Sequence, residues 1–169
     1  MDNVNVKQLV LLLALAAGCG EGAMTSPTHI TIIPDAAVQT DPALIQRVRA
    51  AASLWSTVGA DVEVRLSGDG LPLRLVSAAA WDHAPSSVGA EGVGACADGP
   101  CIEVQREALA ALLPGEQEVA LAHELGHALG LWHVDDQYAV MYRYVNHPLA
   151  AEGLREADAA EYFAVHSNE

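Results

Sequence analysis

The stretch HELGHALGLWH, residues 123 to 133, carries three histidines, His123, His127 and His133, with one carboxylate, Glu124, inside the first interval. On a helix, His123 and His127 are four residues apart, so their rings leave one face and can grip a single metal ion. Glu124 points about 100° away around the axis, placed to reach a metal-bound water without being a ligand. Gly130 can adopt the left-handed conformation that ends a helix, which lets the chain turn back and bring His133 to the same ion. Three imidazoles leave the fourth position of a tetrahedral zinc open, and a closed structural site has no need of a non-ligand base. With this chain's residue counts, HExxH arises by chance in roughly two of a hundred such sequences, and requiring Gly130 and His133 lowers that a few hundred-fold.

These residues match HExxHxxGxxH, the extended motif of the metzincin clan of zinc metallopeptidases, in every specified position, and the chain resembles that clan. A second mark lies in AVMYRYV, where Met141 follows His133 by eight residues, a spacing similar to that of the methionine turn in the matrix-metalloproteinase branch. Leu154 and Asp158 resemble, more loosely, the clan's C-terminal helix. The residue after the third histidine distinguishes branches of the clan; here it is Val134, which matches none of the large ones, so the subfamily is open.

The resemblance implies an α/β (α+β) fold: a five-stranded, mixed, twisted sheet, three helices, and a small C-terminal subdomain below the zinc cleft. It implies a zinc endopeptidase whose protein or peptide substrate lies along an edge strand, for which SSVGAEGVGA (86 to 95) and CIEVQ (101 to 105) both qualify. His123, His127 and His133 would be the ligands, and Glu124 would activate the zinc-bound water. Tyr142 or Tyr144 would either donate to the oxyanion or pack as a wall. Arg143 would favour acidic side chains in a neighbouring pocket. Asp135 and Asp136 are a conceivable calcium pair, though two adjacent acids are more often a solvated loop. Asp82-His83 is at best a fragment of a second zinc site, and His29, His147 and His166 read as solvated loop histidines.

The N-terminal residues have a polar start ending in Lys7, an apolar run from Leu9 to Ala17, then small residues, the pattern of a secretory signal. LAAGC resembles a bacterial lipobox, so residues 1–18 read as signal peptide and 19–27 as a tether with lipidated Cys19; the alternative is ordinary cleavage near Ala23. Residues 28–169 then form one catalytic domain, monomeric, exported, and either anchored at the cell envelope through Cys19 or secreted. Cys96 and Cys101, in CADGPC, read as a disulfide in such a compartment, with a CxxxxC metal pair as the competitor. The formal charge is −14, and every basic residue after Lys7 is arginine. Such a surface repels phosphate backbones and argues against nucleic-acid partners. The rival function is a non-catalytic, zinc-containing surface lipoprotein that acts as a binding module.

For the elements, HITIIP (29 to 34) reads as a strand. Asp41, Pro42 and Gly59 bracket an amphipathic helix with Trp55 in the core. DVEVRL (61 to 66) and LPLRLV (71 to 76) flank a Gly-Asp-Gly turn and suggest a hairpin. Residues 77 to 100 read as irregular, CIEVQ as a strand, Glu116 to about Leu129 as the motif helix, and Leu154 to Val165 as the last helix.

Overall fold

HITIIP alternates buried and half-exposed positions as a half-buried strand must, with Ile30 and Ile32 facing the core. The computed structural model describes residues 27–81, 93–96 (backbone alone), 99–143 and 153–167. Cys19 and the signal segment, Asp82, His83, Tyr144 and His147 lie outside the described residues. The elements are β1 (His29–Pro34), α1 (Ala36–Gln39), α2 (Pro42–Ser56), β2 (Asp61–Val64), β3 (Leu71–Val76), β4 (Val93–Cys96), β5 (Gly99–Gln105), α3 (Arg106–Ala111), α4 (Pro114–Ala128) and α5 (Glu156–His166). The helices of eight residues or more are the three anticipated; α1 and α3 are short additions.

The strand order is β2-β1-β3-β5-β4. The four strands described with their side chains, β2, β1, β3 and β5, are parallel throughout. The backbone of β4 lies antiparallel on β5, with Val93 opposite Ile102 and Cys96 opposite Gly99. Of the two edge candidates, CIEVQ is therefore interior, between β3 and β4. Part of the stretch read as irregular is strand instead.

The anticipated hairpin between DVEVRL and LPLRLV does not form. Both strands run parallel to β1 on its two sides, with Val64 and Leu71 each level with Ile32. Because β3 starts where β2 ends, the chain need only cross one strand and need not travel back, so a short loop suffices where a parallel pair in register would require a long return. Gly70 makes the crossing: a Cβ there would sit 2.6 Å from the Thr31 carbonyl oxygen and 2.9 Å from Ile33 Cγ1. The glycine marks a close approach to backbone rather than a hairpin turn.

Helix α2 starts as anticipated, with the Asp41 carboxylate accepting the Ala43 and Leu44 N–H groups at 2.9 and 3.0 Å and Pro42 in the first turn. It buries Leu44, Ile45, Val48, Ala51, Ala52 and Trp55. Trp55 is fully buried, and its indole N–H donates to the Ala122 carbonyl at 2.8 Å, joining α2 to α4. Helix α4 begins at Pro114, one half-turn before the expected Glu116, because Glu116 itself reaches back to accept the Leu113 N–H at 2.8 Å. Its buried alanines, Ala120 and Ala122, admit close packing beneath the sheet and against α2. No helix among the described residues is long and apolar enough to cross a membrane.

Candidate metal centre

Two turns of α4 set His123 and His127 on one face, and the end of that helix sets the third ligand. Gly130, at φ 85°, terminates α4: its N–H donates to the His127 carbonyl at 2.9 Å, and the Leu131 N–H donates to the Gly126 carbonyl at 3.0 Å. This pair of reversed bonds is the Schellman arrangement, which needs a left-handed residue at that position. The chain therefore folds back, and His133 Nε2 comes to 3.3 Å from His123 Nε2, while His127 Nε2 stands 3.1 Å from it.

The second nitrogen of two of the rings is already committed. His123 Nδ1 lies 2.7 Å from the Val140 carbonyl oxygen and His127 Nδ1 lies 2.9 Å from that of Leu131. A carbonyl only accepts, so both Nδ1 atoms carry the proton, and in the neutral rings both Nε2 atoms present lone pairs. Two lone pairs 3.1 Å apart repel one another and are not a hydrogen bond; a cation between them removes the conflict. Tetrahedral zinc with ligand nitrogens at 2.0–2.1 Å would hold them roughly 3.3 Å apart, which is the spacing found. The donor set therefore fits zinc.

Burial favours the neutral form of His123 and His133. Desolvation, aided by the neighbouring His127 and His133, outweighs the Val140 carbonyl and moves His123 from its usual 6.5 down to about 3. His133 is also lowered, first by desolvation and then by the charges of His127 and Arg143. Imidazoles that resist protonation remain available as ligands. Glu124, beside His123 in the chain, is 1% exposed.

Below the histidines, Met141 is fully buried, and a Cβ on Gly126 would meet its Sδ at 2.3 Å and Trp55 Cζ2 at 2.8 Å. The segment is held from two sides. The Val134 N–H donates to the Met141 carbonyl at 3.0 Å, closing the loop that follows His133. Asp158 of α5, buried at 0% exposure, accepts the N–H groups of Val140 at 2.9 Å, Met141 at 2.8 Å and Arg155 at 2.9 Å. The carbonyl that orients His123 is thus fixed through a carboxylate on a distant helix.

Other sequence candidates separate here. Tyr142 is half-buried, bridged by its backbone to Val134. Asp136 accepts the Tyr138 N–H at 3.0 Å and so serves its own turn, and among the described residues the only gathered trio of metal-ligating side chains is the three histidines. His29 pairs with Asp61 across β1 and β2 at 2.8 Å. His166 is not a solvated loop residue: it is buried in the last turn of α5, its ring 4.4 Å from that of Tyr162. Cys101 is buried and disulfide-bonded; the side chain of Cys96 lies outside the described residues. Two elements of the site escaped the sequence reading. The Val140 and Leu131 carbonyls leave no side-chain signature, and Gly126 was passed over although a glycine inside a helix commonly marks close packing.

Residues 114–166 match the peptidase family described as Matrixin, over less than half of the 169-residue chain. The matched segment contains α4, the three histidines, Met141 and α5. Together with the histidine cluster it fits a zinc metallopeptidase of the metzincin type. A search of curated proteins finds no match.

Proposed function

We propose that this chain is an exported zinc endopeptidase with Glu124 as its general base. The observation that carries the reading is the convergence of three histidine Nε2 atoms, two of them with Nδ1 locked on backbone carbonyls, next to a buried carboxylate that the ligand set does not need. Zinc held there supplies a Lewis acid that polarises the scissile carbonyl and acidifies water. Val140 and Leu131 hold the His123 and His127 rings in the tautomer that binds it. Glu124 takes the proton from the attacking water and delivers it to the leaving amine.

The finer parts of the reading rest on other grounds. Substrate would add as a strand along β4, the terminal strand in the sheet order, against which α4 packs. The five-stranded mixed sheet and small C-terminal subdomain of the metzincins are the frame this implies. The tyrosines beside Met141 are candidate oxyanion donors, and Cys96 is the proposed partner of Cys101. Export and anchoring through Cys19 follow from the N-terminal sequence alone, and the intact mass of membrane-extracted protein reads acylation directly.

The deciding experiment compares wild type with Glu124→Ala on an unstructured protein substrate. Zinc at one per chain in both, with cleavage falling by about 100-fold or more in the variant, is the expected outcome. Equal rates would remove Glu124 from the mechanism. Zinc at one per chain with no cleavage by wild type across a diverse peptide library would favour the binding-module alternative.

A further inference from the structure

A cavity of about 450 Å³ opens between the start of α2, the end of β3, α3 and the first turns of α4. Gln117, on its wall, precedes His123, the nearer helical ligand, by six residues, about 9 Å along the helix axis, and none of the three histidines lines the cavity, so it is separate from the metal centre. Its size falls in the range of small-ligand sites. Leu44, Leu75 and Leu109 give it an apolar surface, and Arg47 and Arg106 bring two guanidinium groups to it.

The charge is what distinguishes the cavity. The chain holds 22 Asp and Glu and a net charge of −14, yet neither Arg47 nor Arg106 makes a hydrogen bond or ion pair among the described residues. Arg65, by contrast, is paired with Glu63. The one acid on the cavity wall among the described residues, Asp41, is already engaged as the N-cap of α2, where it accepts the Ala43 and Leu44 N–H groups. Two of the seven arginines thus converge, without partners among the described residues, on a concave surface of an otherwise acidic protein. A guanidinium presents a planar fork of donors that matches a carboxylate, and leucines beside it accept an apolar body.

We propose that this cavity binds a small carboxylate with an apolar body, either a free aliphatic acid or the carboxyl-terminal residue of a peptide. The site is independent of the peptidase reading, and its test reads binding rather than turnover. Calorimetric titration of the zinc-loaded chain uses hexanoate and N-acetyl-leucine as the two probes, with hexanamide and N-acetyl-leucinamide as their uncharged counterparts. Saturable binding of one acid per chain, at least tenfold tighter than its amide, is expected, and Arg47→Gln and Arg106→Gln should each weaken it at least tenfold without changing zinc content or thermal midpoint. Preference for hexanoate assigns a free acid, and preference for N-acetyl-leucine assigns a chain end. The proposal is overturned if neither acid saturates, if the amides bind equally well, or if the double arginine variant binds as the parent does. Binding that vanishes with the zinc and ignores the arginines places the acid on the metal and overturns it too.

Discussion

At Gly126 two opposing effects meet. A glycine inside a helix is worse than alanine by about 1 kcal/mol, so Gly126→Ala at an open position would stabilise α4. Here the added methyl would overlap Met141 Sδ and Trp55 Cζ2, and both side chains are fully buried. Overpacking of a filled core costs about 1–3 kcal/mol, which exceeds the helix gain. We expect Gly126→Ala to lower the urea midpoint and to weaken zinc binding, because relief requires Met141 to move, and Val140, which orients His123, precedes it directly. A variant more stable than wild type would mean that the space under the helix yields. Met141 thus acts through packing: its sulfur fills the place where a side chain at position 126 would otherwise stand.

At the scale of elements, α5 acts as a brace for the metal centre. Asp158 gathers three backbone N–H groups, two of them from the Val140-Met141 segment, into one buried carboxylate. Asp158→Asn keeps the shape but turns a donor toward a donor on one side, leaving a buried N–H unsatisfied at a cost of about 2 kcal/mol or more. Chemical denaturation should register that loss, and zinc affinity should fall with it, since His123 loses a fixed partner; unchanged values in both would show that the brace is dispensable. The elements also show what the sequence could and could not reveal. Helix α2 was legible because its cap, first-turn proline and apolar stripe all agree locally, and α4 because its histidine spacing has meaning only on a helix. The crossover between β2 and β3 was not legible, since alternating strands around Gly-Asp-Gly look the same whether they pair with each other or flank a third. That choice is made by β1, some thirty residues away. His166 was misjudged for a similar reason: its burial is set by tertiary packing of α5 and not by its neighbours in sequence.

For the whole molecule, the metal centre couples stability to pH. His123 titrates at about 3 in the fold against 6.5 when free, so between those values the unfolded chain binds more protons than the folded one. The stability of metal-free protein is therefore greatest above pH 6.5 and declines as pH falls toward 3, with a slope of up to about 1.4 kcal/mol per pH unit from this one group. His133 shifts in the same direction, and its greater exposure makes its share smaller. Zinc opposes the decline by occupying the same nitrogens, adding about 4 kcal/mol when free metal exceeds its dissociation constant a thousandfold. Urea denaturation of chelator-treated protein at pH 7.5, 6.5, 5.5 and 4.5 should show stability nearly level over the first step and falling over the next two. Zinc-loaded protein should lie above it at pH 7.5 and converge on it as protons displace the metal. A flat profile for the metal-free chain down to pH 4.5 would show that His123 accepts a proton in place without cost, and that the buried, carbonyl-locked imidazole described for it is wrong.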